Sequence, residues 1–205
     1  MDLNSHRLIK PKIPNIIDVL DSQSLPGMTA PFEPLVYECP HHASIHEILI
    51  NWIDSTAATM VNGGARKTKF YTGSERPLKA HDILFDWIES VLCDAVERLA
   101  KYTNSAYNES PDETRIFKIA DYWGMMYDEG GGAVLHNHFP YSLSFGYYLR
   151  VPEGSSPLIV EEYKIPVEEG RLVLWAAHQP HEVPDCEVGG RCMIAGNVSY
   201  AGVDR

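Results

Sequence analysis

The spacing of apolar residues changes near position 115, and this change constrains the fold more than any other feature. Before it, apolar side chains recur at three- and four-residue steps, as in Ile45, Leu49, Trp52 and Ile53, which is typical of a helix with one buried face. After it, short runs of β-branched and aromatic residues alternate with Gly and Pro, which indicates five or more short strands in a sandwich or barrel. Helices followed by strands predict an α+β fold with a mainly β core, backed by the N-terminal helices.

The length of 205 residues predicts a single domain, 1–205, in which we distinguish three zones. Residues 1–36 contain five prolines and are predicted to form an extended arm laid over the body. Residues 37–115 are predicted to form a helical support, with helices at 42–59 and 82–103. Residues 116–205 are predicted to form the β core.

The stretch 60–77 interrupts the helical zone with the composition of loop and strand. We interpret it as a solvated surface loop. The alternative is a lid over a functional site, because Arg66, Lys67 and Lys69 follow directly after two glycines.

The charge balance excludes several classes of function. The chain has 17 Lys and Arg against 28 Asp and Glu, a net charge of −11. Phosphate neutralisation supplies most nucleic-acid affinity, so a nucleic-acid partner is not expected, and neither is docking on an anionic membrane.

We find no secretory signal pattern, no membrane-spanning apolar stretch and no C-x-x-C pair among the four cysteines. These patterns predict a protein of the reducing cytoplasm.

Three of the nine histidines stand in patterns that indicate chemistry. His136-Asn137-His138 follows three glycines and an apolar run, and residues i and i+2 of a strand point to the same side. Two converging imidazoles are what a metal site requires, although a hydrogen-bonded pair at a strand end is the alternative. His181 follows a predicted buried strand, Gly170 to Trp175. The others are interpreted as arm, loop or partly solvated helix-surface residues: His6, His41, His42, His46, His81 and His178.

Arg191 opens the last predicted strand, ten residues after His181. An inward-pointing guanidinium at the head of an apolar strand has few uses except to hold an anion, and its planar fork suits a carboxylate. Taken alone, the residue would instead be interpreted as exposed after a Gly-Gly turn. Taken together, the sequence offers three imidazoles and, one strand later, an arginine that could bind a carboxylate.

An ordered set of motifs in the last 90 or so residues resembles the Fe(II)/2-oxoglutarate-dependent oxygenases, in the prolyl-hydroxylase-like branch. Within that branch, the H-x-H in place of H-x-D resembles a group of uncharacterised, often phage-associated oxygenases. The matching pieces are Tyr127-Asp-Glu-Gly-Gly, His136-Asn-His138, Ser144-Phe-Gly-Tyr-Tyr148-Leu, Val151-Pro-Glu-Gly, Gly170-Arg-Leu-Val-Leu-Trp, Pro180-His-Glu-Val183, and Arg191 with Asn197.

The resemblance implies a double-stranded β-helix, or jelly roll, as the catalytic core, with a metal site at its open mouth. It implies His136 and His181 as histidine ligands of Fe(II), with His138 where most members have a carboxylate. It further implies that Arg191 and Tyr148 hold the far carboxylate of 2-oxoglutarate and that Tyr127 lines the same pocket. Ser144 and Asn197 are candidates for positions behind these residues, and Met193 departs from the Arg-x-Ser pattern.

The activity implied by the resemblance is that of a 2-oxoglutarate-dependent dioxygenase, a hydroxylase that couples decarboxylation of 2-oxoglutarate to C–H oxidation. Its partners would be molecular oxygen and a small-molecule or protein side-chain substrate, which the sequence does not identify. Trp123, Phe139, Tyr141 and Trp175 are interpreted as packing of the β core, with a substrate mouth as the alternative.

Two other functions remain open at this point. One is a cupin-type metalloenzyme with three histidines and no 2-oxoglutarate, since Gly130 stands six residues before His136. That reading lacks a Glu after His138 and leaves Arg191 without a role. The other is a non-enzymatic jelly-roll binding module whose histidines are structural.

Overall fold

The computed structural model of the chain describes residues 33–61, 64–103 and 114–204. Almost all of the predicted arm at 1–36, and His6 with it, lies outside these residues. Within the described part, the first element is a strand, β1 (Leu35–Glu38), which pairs antiparallel with a strand of the core.

Two helices follow the apolar periodicity of the sequence. Helix α1 (His42–Thr56) ends three residues before the predicted limit, and α2 (Lys79–Thr103) begins three residues before it. Each helix packs one apolar face into the interior, which is the source of most helix stability in a globular protein. The buried residues of α1 are Ile45, Leu49, Ile50, Trp52 and Ile53, and those of α2 include Leu84, Phe85, Trp87, Ile88, Val91, Leu92 and Ala95.

The segment between the helices is part of the sheet rather than a solvated loop. It contains strands β2 (Thr59–Val61), β3 (Ala65–Lys67) and β4 (Tyr71–Thr72). Both β3 and β4 pair with the long strand β5 (Thr114–Tyr127). Ala65 and Thr68 are fully buried, so burial and the pairing with β5 together hold β3 and β4 against the sheet.

The remaining strands complete two antiparallel sheets. They are β6 (Ala133–His136), β7 (Leu143–Arg150), β8 (Leu158–Val160), β9 (Tyr163–Ile165), β10 (Arg171–Ala176), β11 (His181–Val183) and β12 (Arg191–Asp204). The large sheet has the order β1-β10-β7-β12-β5-β3-β2, with β4 also on β5, and the small sheet has the order β6-β11-β8-β9. This arrangement confirms the predicted jelly-roll core with a helical backing.

The large sheet lies between the helices and the small sheet, and alternate residues of its strands serve the two sides. On the helix side, Leu143, Phe145, Tyr147 and Leu149 of β7 join a core with the apolar faces of α1 and α2. On the opposite side, Tyr148 of β7, Val173 and Trp175 of β10 and Met193 of β12 pack with Leu158, Val160 and Val183 of the small sheet. The functional residues predicted from the sequence lie on this second side.

Neither described helix is long and apolar enough to cross a membrane.

His81 is a correction to the sequence analysis, which assigned it to a partly solvated helix surface. Its side chain is fully buried near the start of α2, against Trp52 (ring centroids 4.4 Å apart), Phe85 and Tyr122. Neither ring nitrogen has a hydrogen-bond partner among the described residues. Burial disfavours the imidazolium form and lowers the pKa of His81 to about 4.

This burial predicts an acid-sensitive contribution of His81 to stability. Because the pKa in the folded state lies below the ordinary 6.5, the unfolded state binds the proton first, and stability falls as the pH drops from about 6.5 towards 4. We expect His81→Leu to remove about 3 kcal/mol of the loss in unfolding free energy between pH 7 and pH 4. Denaturant unfolding at several pH values measures it. The same substitution at exposed His178 is the control, and an equal pH dependence in wild type and His81→Leu would contradict the assignment.

Candidate metal centre

The two sheets bring His136, His138 and His181 together at one end of the core. His136 is the last residue of β6 and His181 the first of β11, and the two lie directly opposite each other in the antiparallel pair. His138 follows two residues after β6, where its backbone N–H donates to the carbonyl oxygen of Ala177 at 2.7 Å. A pairing between strands some 45 residues apart therefore completes the predicted triad.

The three imidazoles have the spacing of a metal site. One nitrogen of each ring lies within 4.8 Å of the others, and no further group of three His, Cys, Asp or Glu meets this condition in the described part of the chain. The ring centroids are 4.3 Å apart for His136 and His181, 4.9 Å for His136 and His138, and 5.0 Å for His138 and His181. Imidazole is a ligand suited to iron, zinc, copper and nickel.

The hydrogen bonds of His136 leave a nitrogen free for a metal. Its Nδ1 lies 2.6 Å from the carbonyl oxygen of Val134, which can only accept, so Nδ1 carries the proton and Nε2 keeps its lone pair. A backbone carbonyl that fixes the second nitrogen in this way is usual for histidine ligands. In His181, Nδ1 contacts both the carbonyl oxygen of Gln179 (3.3 Å) and the indole N–H of Trp175 (3.2 Å). The Gln179 contact, with Nδ1 as donor, is the one that frees Nε2.

Burial keeps two of these imidazoles neutral. Burial, together with the proximity of His136, lowers the pKa of His138 to about 4 and that of His181 to about 3. A neutral imidazole is the form that binds a metal, so neither ring must first lose a proton at neutral pH.

Arg191 is fully buried and has no carboxylate partner among the described residues. The guanidinium lies between the rings of Tyr127 and Tyr148, 4.9 and 5.1 Å from their centroids. Nη1 donates to the carbonyl oxygen of Ser156 at 2.8 Å and Nη2 to the hydroxyl of Tyr148 at 3.4 Å, while Nε has no partner. A buried charge without a counter-ion is costly, which is the signature of a site that binds an anion. The exposed-arginine alternative is therefore wrong.

The two phenols beside Arg191 are neutral hydrogen-bonding groups. Burial raises the pKa of Tyr127 to about 12, and it also raises the pKa of Tyr148, although the charge of Arg191 opposes both shifts.

A glycine precedes Arg191 and brings β12 alongside β5. Gly190, with φ +99°, turns the chain into β12 and donates its N–H to the carbonyl oxygen of Tyr127 at 2.7 Å. The predicted neighbours of Arg191 are thus in contact with it.

The triad and Arg191 line one cavity of about 600 Å³, within the usual range for small-ligand sites. All of the site residues predicted from the sequence lie on its wall: Tyr127, His136, His138, Ser144, Tyr148, His181, Arg191 and Asn197. Of the aromatic residues interpreted as packing, Trp123, Tyr141 and Trp175 line the cavity, while Phe139 is 77 % exposed and does not.

Asp121, which the sequence patterns did not single out, lies on β5 and lines the same cavity. Asn197 donates its amide N–H to Asp121 at 2.8 Å and accepts a hydrogen bond from Ser144 at 2.9 Å, and the Tyr141 hydroxyl donates to the other carboxylate oxygen. The available signal was an acidic residue inside the apolar run from Ile116 to Tyr127. Lys67 and Phe70, from the segment considered as a lid, also line the cavity.

The other described histidines lie apart from this cavity. His42 and His46 stack on each other on α1, and His42 Nδ1 lies 2.9 Å from the Tyr147 hydroxyl on the helix side of the sheet. His178 is exposed in the turn before β11, as expected for a loop residue beside the site.

Comparison with known proteins supports the fold and leaves the finer family open. No family model matches the chain, and no curated protein matches it in sequence. Solved structures do match: a prolyl hydroxylase from Trichoplax adhaerens, in complex with a peptide fragment of the hypoxia inducible factor oxygen degradation domain, has a TM-score of 0.54 at 15% identity, over 80% of this chain and 82% of that one.

Two further structures are similar to the same extent. The viral collagen prolyl hydroxylase vCPH of Paramecium Bursaria Chlorella virus-1, in its 2OG complex, has a TM-score of 0.52 at 13% identity, over 76% of this chain and 89% of that one. The non-heme alpha ketoglutarate dependent epimerase SnoN, from nogalamycin biosynthesis, has a TM-score of 0.56 at 12% identity, over 83% and 78%. The chain therefore has the fold of the 2-oxoglutarate Fe(II) oxygenases, prolyl hydroxylases included. Membership of the phage-associated group stays a prediction.

The geometry predicts that each histidine of the triad contributes to metal binding. We expect His136→Ala, His138→Ala and His181→Ala each to weaken Co(II) binding by about 100-fold or more, because loss of even a ligand's hydrogen-bonding partner costs roughly 10- to 100-fold. Calorimetric titration gives the affinity, and the visible spectrum of bound Co(II) reports the ligand set. His178→Ala, three residues before His181, is the control. Wild-type affinity in His138→Ala would remove that residue from the ligand set.

Proposed function

We propose that the protein is an Fe(II)- and 2-oxoglutarate-dependent oxygenase, most simply a hydroxylase of a C–H bond in a small molecule or a protein side chain. One observation carries this proposal: the imidazole triad and a buried guanidinium share one cavity in a chain with the fold of such oxygenases. That guanidinium, of Arg191, has no carboxylate partner among the described residues. A prolyl hydroxylase of that fold has been solved with a bound peptide, which supports a side-chain substrate.

In this proposal His136, His138 and His181 hold Fe(II), and bound Fe(II) with 2-oxoglutarate and O₂ supplies the oxidising chemistry. The residues present fit these groups, because the triad offers converging nitrogens and Arg191 lacks an anion. Arg191 and the Tyr148 hydroxyl bind the far carboxylate of 2-oxoglutarate through charge-assisted hydrogen bonds, with the Tyr127 ring stacked under the guanidinium.

His138 changes the charge of the proposed centre. A carboxylate at this position would bring one negative charge to the metal, whereas the neutral imidazole of His138 brings none. The metal therefore keeps more of its positive charge and attracts an anionic co-substrate more strongly.

The imidazole at position 138 also supports a second candidate, a cupin-type metalloenzyme with three histidines and no 2-oxoglutarate. That candidate leaves the buried charge of Arg191 without a ligand, whereas the oxygenase uses it. A non-enzymatic binding module has the same difficulty and also leaves the triad without a metal. Binding of Mn(II) and of 2-oxoglutarate, measured together, distinguishes all three candidates.

The first test is thermal unfolding of metal-free protein under anaerobic conditions with Mn(II), and then with Mn(II) and 2-oxoglutarate. Ligands that bind only the native state raise the melting temperature by mass action. At a 2-oxoglutarate concentration about 100 times its dissociation constant, we expect a further rise of about 5–10 °C.

Arg191→Met should lose the 2-oxoglutarate response and keep the Mn(II) response. Because it also removes an unpaired buried charge, its melting temperature without ligands should equal or exceed that of wild type. Arg150→Met is the matched control. Arg150 lies opposite Cys192 in the β7–β12 register, next to Arg191, but it does not line the cavity. A response to Mn(II) alone would favour the cupin-type candidate, and no response to either ligand would favour the binding module.

A further inference from the structure

The cavity has a second charged end, which the proposed co-substrate does not use. Arg191 lies opposite Tyr127 in the β12–β5 pair, and Asn197 lies opposite Asp121 in the same pair. Asp121 and Tyr127 are six residues apart on β5, about 20 Å at the rise of an antiparallel strand. Trp123, two residues from Asp121, contacts the ring of His138 at 5.7 Å between centroids. A co-substrate held between Arg191 and the metal leaves the Asp121 end to another molecule.

The carboxylate of Asp121 is held in a fixed orientation. Ser144 donates its hydroxyl hydrogen to Asn197 Oδ1, so the amide NH₂ of Asn197 points to Asp121, and Tyr141 holds the second carboxylate oxygen. Asp121, Asn197 and Ser144 face each other on three neighbouring strands, so the sheet itself sets their positions. Each carboxylate oxygen accepts one of these hydrogen bonds and keeps a lone pair for a further donor.

Asp121 has no ion pair within the described residues, although it lines a cavity with aromatic walls. Its hydrogen-bond donors are neutral, so its negative charge has no counter-ion. Tyr141 and Trp123 lie on the same wall, and Phe70 packs against Trp123 at 4.9 Å between ring centroids. A carboxylate that shares a cavity wall with aromatic rings is an arrangement suited to an ammonium or guanidinium group.

Lys67 is the nearby positive charge that a cationic ligand would meet. Its Nζ lies 4.4 Å from the centroid of the Phe70 ring and forms no ion pair with a described carboxylate. It lies opposite Met125 in the β3–β5 pair, four residues along β5 from Asp121. The position of Nζ shows that this aromatic wall accommodates an ammonium group, and its charge weakens the binding of a second one.

We propose that Asp121 recognises the substrate and that the substrate carries a cationic nitrogen group, an ammonium or a guanidinium. The proposal rests on the proposed function, since it assigns the end of the cavity that 2-oxoglutarate leaves free. Asn197, Ser144 and Tyr141 act as positioning residues for the carboxylate. Trp123 and Phe70 form the aromatic face along which the cation lies.

The test uses two pairs of probes that differ in charge, one nearly matched in shape and the other isosteric. Nα-acetyl-lysine amide is paired with neutral Nα-acetyl-norleucine amide, and Nα-acetyl-arginine amide with neutral Nα-acetyl-citrulline amide. Each is added to protein already loaded with Mn(II) and 2-oxoglutarate, and binding is measured by thermal shift and by calorimetric titration without O₂. We expect a cationic member to bind at least about tenfold more tightly than its neutral partner.

Asp121→Asn should abolish this preference and keep the fold, because the asparagine oxygen still accepts a hydrogen bond and the Tyr141 hydroxyl can accept from its amide. Glu187→Gln, an exposed carboxylate outside the cavity wall, is the control and should keep the preference. Lys67→Met removes the competing charge and should bind the cationic probe equally or more tightly.

The outcomes separate this proposal from the proposed function. If 2-oxoglutarate stabilises the Mn(II) protein but neither cationic probe binds more tightly than its neutral partner, the assignment of Asp121 is overturned and the oxygenase stands. The same holds if Asp121→Asn keeps the preference. If 2-oxoglutarate gives no stabilisation, the proposed function fails first.

Discussion

The two-residue repeat of the long strands is the constraint on which both the core and the cavity depend. In β7 every residue from Leu143 to Leu149 is buried, but alternate side chains serve different partners. Tyr147 and Leu149 pack against the helices, whereas Ser144 and Tyr148 face the cavity. A slip of one residue in register would exchange these sets, bury the polar groups against α1 and α2 and fill the cavity with apolar side chains. Packing on the helix side therefore fixes the chemistry on the other side.

The same packing must support a charge that works against folding. Arg191 is buried at the head of β12 with a carbonyl oxygen, a phenol hydroxyl and two aromatic rings around it, but no carboxylate. Polar contacts of this kind offset only part of the desolvation of a guanidinium. The stability comes instead from the large core between the helices and the sheet. Such a loss of stability at a functional site is the usual trade between folding and ligand binding.

Local patterns were enough to predict the side-chain positions that depend on a single strand or turn. His136-x-His138 is such a pattern, although His138 lies two residues beyond the end of β6, so its position depends on the turn and not on the two-residue repeat of a strand. What local pattern does not contain is which distant segments meet. The pairing of His181 with His136 and the enclosure of His81 by Trp52 and Tyr122 are contacts of this kind. Local pattern therefore predicts a surface position for His81 and no role for Asp121, although Asp121 interrupts an apolar strand.

The imidazole at position 138 determines the charge of the proposed metal centre. With three neutral ligands, the proposed centre leaves the charge of a divalent metal uncompensated, and Arg191 adds a second uncompensated charge. In the proposed function, a diacid held between them would supply a negative charge to each and would replace the carboxylate that His138 does not provide. Because coupling between two bound ligands is reciprocal, the metal must raise the affinity for the diacid by the same factor by which the diacid raises the affinity for the metal. Under the proposed function, an imidazole instead of a carboxylate at position 138 would thus make metal and co-substrate binding depend more strongly on each other.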